Sequence, residues 1–230
     1  MISTGNDIID LSRIDVQRTK QERFYSKILS QAETDGYLTN GLVNLPFENF
    51  IWLLWSVKES VYKFSKRRFP LLVFSPKRII TGLISSPLED HLPVFEEREC
   101  ENFSLKKKDC YCCIINTETG QYYSRSKVYN EIIYTVVSET ENFDDIWWGI
   151  KYIYDVSPAC QSESVRAFAL EKFKEIYPNS KLSISKSPVG YPVLNVNENA
   201  MKTPLSFTHH FRFVAYSFVY NSTMISKDIF

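Results

Sequence analysis

Apolar residues at positions 50, 53, 54, 57, 61 and 64 recur at helical spacing. They predict a long, largely buried helix that ends near Arg68, just before Pro70. Its polar positions are not scattered. Trp55, Glu59 and Lys63 follow at four-residue intervals and so project from one face. Two readings stay open. Glu59 and Lys63 form an ordinary i,i+4 ion pair at a solvated edge, or they belong to a site where Glu59 holds a cation and Lys63 an anion.

The same patterning organises the rest of the chain. Residues 2–11 read as a first strand, with Asp7 set between Asn6 and the apolar pair Ile8–Ile9. A helix is expected over 12–26, and Ser30-Gln31-Ala32-Glu33 is a capping box that starts another, reaching to about Leu38. Residues 41–46 form a loop before the long helix. Strands are expected over 79–84, 111–116, 122–128 and 131–138, with a hairpin turn at Thr119-Gly120. The charged segment 87–105 predicts little. A strand over 147–156, a helix over 162–177 and strands over 182–185, 192–196 and 213–220 complete the chain. The class is α+β.

Composition narrows the function. The 230 residues carry a formal net charge of +0, which gives no general argument for nucleic acid. No apolar run approaches a membrane span, and the N-terminus lacks the basic and apolar regions of a signal peptide. The expectation is a cytoplasmic protein. Cys100, Cys110, Cys112, Cys113 and Cys160 are odd in number and lack a CxxC pair, so they read as strand and core residues rather than as disulfides or a zinc site.

An ungapped shift of 104 positions lays the later helix on the long one. Glu59 then meets Glu163, Ser60 meets Ser164, Val61 meets Val165, Phe64 meets Phe168 and Phe69 meets Phe173. Lys63 meets Ala167 and Lys58 meets Ser162, so packing residues recur while the basic ones do not. The expected organisation is two related α+β halves, 1–140 and 141–230, with an asymmetric site at their seam.

Three blocks in order carry a resemblance: Gly5-Asn6-Asp7, then Trp55-Ser-Val-Lys58-Glu59-Ser-Val-Tyr-Lys63, then Gly190-Tyr191-Pro192 with Ser206-Phe207-Thr208-His209. This resembles the 4′-phosphopantetheinyl transferases, with the block order of the small holo-acyl-carrier-protein synthase type and the length of the larger pseudodimeric type. The resemblance implies transfer of phosphopantetheine from coenzyme A to a serine of an acyl carrier protein. It implies Mg²⁺ held by Asp7 and Glu59, with Glu59 and Lys63 in the catalytic set, and Lys63 and His209 on coenzyme A phosphates. It further implies a monomeric pseudodimer, and carrier docking on Arg13, Lys20 and Arg23, which share a face of the expected first helix. The pseudodimeric type often has an acidic residue two places after the aspartate; here that place is Ile9, and water would complete the metal shell. Asp10, out of phase with Asp7, is expected at the surface. A non-catalytic coenzyme A or carrier-protein binding protein on the same fold is the competing reading.

Overall fold

The computed structural model describes residues 4–39, 42, 44–88, 95, 99–103 and 105–220. Residues 2 and 3 of the expected first strand, and parts of the 41–46 and 87–105 segments, lie outside the described residues. In chain order the elements are β1 (Gly5–Asp10), α1 (Val16–Thr19), α2 (Glu22–Tyr25), α3 (Gln31–Thr39), α4 (Phe47–Lys66), β2 (Ile80–Ser85), β3 (Glu99–Phe103), β4 (Tyr111–Thr117), β5 (Gly120–Val128), β6 (Ile132–Ser138), β7 (Ile146–Tyr152), α5 (Pro158–Ile176), β8 (Leu182–Lys186), β9 (Pro192–Val196), β10 (Asn199–Ala200), β11 (Leu205–His210) and β12 (Phe213–Val219). The α+β class is as expected.

Two antiparallel sheets face each other between two helices. The first runs β1-β6-β5-β4-β2 and the second β11-β12-β7-β3, with β10-β9-β8 as a small separate sheet. Side chains alternate between layers because strand periodicity is two. On β6, Ile133 and Val137 pack beneath α4, whereas Ile132, Tyr134 and Val136 enter the core between the sheets. On β12, Phe213 and Ala215 enter that shared core, whereas Val214, Tyr216 and Phe218 meet α5. β1 is buried on both faces, Ile9 toward the α4 core and Ile8 toward the shared core. It is therefore the strand at which the layers join.

Four expectations are corrected. The helix over 12–26 is broken into a 3-10 turn at Leu11–Arg13 and two short helices. Local capping breaks it: Asp10 accepts from the Ser12 N–H, Ile14 is extended, Asp15 accepts from the Arg18 N–H at 2.9 Å, and Gln21 is extended again. Arg13, Lys20 and Arg23 are thus exposed but lie on three separate turns, not one helical face. Asp10 is buried, at 2% exposure, because its side chain caps that turn and the second sheet covers it. β3, β10 and β11 are strands beyond those expected; β3, from the charged segment, pairs with β7 at the edge of the second sheet.

The joint between α4 and β1 depends on Gly5. A Cβ there would stand 2.2 Å from the Ser60 carbonyl oxygen and 2.9 Å from the Phe64 nitrogen, both backbone atoms of α4. Gly5→Ala is expected to destabilise the fold by about 1–3 kcal/mol or more. Gly82→Ala, whose Cβ would meet only the Ile114 oxygen at 3.3 Å, is expected to cost less. Denaturant midpoints of the two variants check this; equal costs would contradict it.

Candidate active site

β1 carries Asp7 into the cleft between α4 and β11. Lys63 of α4 donates to Asp7 Oδ1 at 2.9 Å, to the Asn6 carbonyl at 3.1 Å and to Thr208 Oγ1 at 3.2 Å. Thr208 in turn donates to Asp7 Oδ1 at 3.1 Å. The i,i+4 pair left open by the sequence does not form: Lys63 spends its charge on Asp7 instead. Asp7 Oδ2 is buried and has no hydrogen-bond partner.

Glu59 stands one turn before Lys63, half-buried, with no hydrogen bond or ion pair among the described residues. Burial pushes its carboxyl above the usual range; Lys63 pulls it back and the Asp7 charge pushes it up further. The two carboxylates therefore sense each other's charge. Two carboxylates so arranged suit a divalent cation that takes its other ligands from phosphate and water. Among the described residues no group of three or more His, Cys, Asp or Glu is gathered for a metal. The donor set fits Mg²⁺, which uses few protein ligands, better than a metal needing a closed protein cage.

β11 belongs to the other sheet and closes the cleft. Its Ser206 Oγ accepts from the Asn6 N–H at 3.2 Å, and His210 Nδ1 accepts from the Asp10 N–H at 2.7 Å. His209, in the same strand, is exposed over part of its surface. Partial burial beside Lys63 and His210 lowers its pKa, so the imidazole is neutral at pH 7 and offers one N–H. Asp7, Glu59, Lys63 and His209 are thus brought to one seam. Arg13 borders the histidine strand, lying over the Phe211 ring at 4.2 Å with its charge acting on His210, whereas Lys20 pairs with Glu48 at 3.1 Å and Arg23 donates to Gln21 at 2.8 Å.

The first lysine of the long-helix motif does something else. Lys58 is fully buried, donating to Glu33 Oε2 at 2.8 Å and to the Ile28 carbonyl at 2.7 Å. Glu33 also accepts from Ser30 and Thr81, completing the expected capping box. Burial alone would raise the Glu33 pKa, but Lys58 and these donors outweigh it and the net shift is downward. Lys58 therefore fastens α3 to α4 and does not face the seam.

Sequence reasoning assigned no role to Thr208, which stands in this cleft. Thr208 was visible only as a hydroxyl position inside the histidine block. Arg67, one turn beyond Lys63, lies over the Tyr191 ring at 5.3 Å and donates to the Leu205 carbonyl. Burial lowers its pKa to about 10, which leaves it charged at neutral pH. With Lys186, Tyr191 and Lys202 it lines a cavity of about 650 Å³.

Residues 3–89, less than half of the chain, match the family model described as the 4′-phosphopantetheinyl transferase superfamily. The match covers Asp7, Glu59 and Lys63, bears out the resemblance drawn from the motifs, and supports a phosphopantetheinyl transferase kind of function. No curated protein matches the chain. Among the described residues no helix is long and apolar enough to cross a membrane.

The raised Glu59 pKa has a consequence for stability. The folded state holds that proton more tightly than the unfolded chain, so ionised Glu59 costs stability above both pKa values and nothing below the ordinary value of about 4.3. Glu59→Gln is expected to melt at a higher temperature than wild type at pH 7. The gain should shrink as pH falls through the raised pKa toward pH 4. A lower melting temperature at pH 7 would contradict this reading of the site.

Proposed function

We propose that this protein transfers the 4′-phosphopantetheine group of coenzyme A to a serine hydroxyl of an acyl carrier protein or carrier domain, in an Mg²⁺-dependent reaction of the holo-acyl-carrier-protein synthase type. The observation that carries the reading is the seam: a buried, bare Asp7 oxygen beside a partnerless Glu59, with Lys63 and the histidine strand closing over them.

In this reading the chain is a monomeric, cytoplasmic pseudodimer divided near residue 140. Its support is a recurring order. β1 precedes α4, and the β5–β6 hairpin returns to pair β6 with β1; β7 precedes α5, and the β11–β12 hairpin returns to pair β12 with β7. Phe64 lies beside Gly5, and Phe168, its repeat partner, lies beside Gly149.

The serine oxygen attacks the phosphorus that bears pantetheine, the pyrophosphate bond breaks, and adenosine 3′,5′-bisphosphate departs with the bridging oxygen. Mg²⁺, when bound, would be held by Asp7 and Glu59 and would offset charge on the phosphate oxygens. Lys63 adds a fixed positive charge at the seam, and His209 offers its N–H to a phosphate oxygen. Glu59 has the raised proton affinity a base for the serine hydroxyl needs, with water as the other acceptor. The cavity fronted by Arg67, Lys186 and Lys202 matches the nucleotide end of coenzyme A in size and charge.

Incubating an apo carrier protein with this protein, coenzyme A and Mg²⁺ should add the phosphopantetheine mass to the carrier, read by mass spectrometry. Asp7→Ala and Glu59→Gln, each still folded, should transfer on the order of 100-fold more slowly or worse. Coenzyme A binding without any mass gain on any carrier would leave the non-catalytic binding protein as the reading instead.

Docking of an acidic carrier is assigned to the exposed cations Arg13, Lys20 and Arg23, on successive turns after β1. Reversing Arg13 and Arg23 to Glu should raise KM for the carrier, most steeply at low salt, and spare KM for coenzyme A. Carrier kinetics that keep their wild-type salt dependence would move docking to another surface.

A further inference from the structure

We infer that Thr208 is a positioning residue for Asp7: with Lys63 it fixes the carboxylate so that one oxygen, Oδ2, is left to ligate the cation. The inference rests on the metal assignment of the proposed function and adds to it a residue from the other half of the chain. Three observations carry it. First, Asp7 Oδ1 receives two donors, Lys63 at 2.9 Å and Thr208 at 3.1 Å, while Oδ2 is buried without any. Burying a bare carboxylate oxygen is costly, so this asymmetry points to a ligand the protein does not itself provide. Second, the Lys63 ammonium has three N–H donors and all three are engaged, by the Asn6 carbonyl, Asp7 and Thr208. Lys63 therefore acts first as an anchor, and a phosphate oxygen can take one of its hydrogens only by displacing a partner. Third, the Thr208 hydroxyl has a single hydrogen, given to Asp7, and accepts from Lys63. That assignment leaves no alternative donor direction, so the hydroxyl fixes the rotation of the Asp7 carboxylate.

The clasp joins α4, β1 and β11, elements far apart in the chain. Ser206, two residues earlier in β11, holds the Asn6 N–H, so strand and side chain are tied to the same partner strand. A cation ligand fixed in this way is preorganised, and loss of such a supporting hydrogen bond typically costs about 10–100-fold in metal affinity.

The test titrates the full-length protein with Mn²⁺ alone, free ion being read by electron paramagnetic resonance. Thr208→Val keeps the shape and the strand preference but removes the hydroxyl; it should weaken Mn²⁺ binding about 10–100-fold with a two-state melt still present. Thr208→Ser keeps the hydroxyl and should stay within a few-fold of wild type. If the valine variant does not fold, Thr208→Ala takes its place in the same comparison. Wild-type Mn²⁺ affinity in the valine variant, or equal loss in the serine variant, overturns the inference, as does a wild-type protein that binds no Mn²⁺. The expected Mn²⁺ pattern without mass gain on any carrier leaves the clasp standing and removes the transferase reading.

Discussion

The contact of α4 with β1 over Gly5 is the constraint on which the site depends. Only a residue without a side chain lets the Ser60 carbonyl of the helix come so near the strand. That approach sets the distance at which Lys63 reaches Asp7 and Asn6, and places Glu59 within the field of Asp7. A helix held an ångström or two further out would leave Lys63 reaching solvent and would return the Glu59 pKa toward its ordinary value. The backbone packing and the electrostatics of the seam are one arrangement seen at two scales.

The seam also explains why polar groups are tolerated between two sheets. Tyr134, fully buried, donates to the Tyr216 carbonyl and accepts from the Asn6 amide, joining β6, β12 and β1. Thr4 meets Ser217 across the same boundary at 3.1 Å. The Tyr134–Tyr216 and Thr4–Ser217 hydrogen bonds reach the second sheet, so the two layers are registered against each other as well as glued by apolar area. Asp7 Oδ2 and Asn6 Oδ1 are both buried there without a partner, and of the two only the carboxylate oxygen carries charge, which is why it points to function rather than to poor packing.

The long helix, the capping box at Ser30–Glu33 and most strands were legible because each rests on a local rule: period 3.6, a reciprocal cap, or alternation. The triad of Asp7, Glu59 and Lys63 was legible as spacing and motif. What could not be read was partner choice. Lys63 has Glu59 one turn away on its own helix, yet pairs with a residue 56 positions distant, because the tertiary approach at Gly5 puts Asp7 closer. Asp10 looked like a surface residue from its phase, but β1 has no solvent face. The first helix failed since Asp10, Asp15 and Gln21 offered local alternatives to a continuous ladder. β3 lay unread in a charged segment, where pairing with β7 overrides composition.

The central claim is that Asp7 of β1 and Glu59 of α4 hold one cation, with Thr208 of β11 fixing Asp7. Its most direct test is anomalous diffraction from a crystal of this protein grown with Mn²⁺ and coenzyme A. The account predicts a single Mn²⁺ peak at ligand distance from Asp7 Oδ2 and a Glu59 oxygen, with Asp7 Oδ1 still held by Lys63 and Thr208. Mn²⁺ bound elsewhere, or no peak at the seam with coenzyme A present, would contradict it.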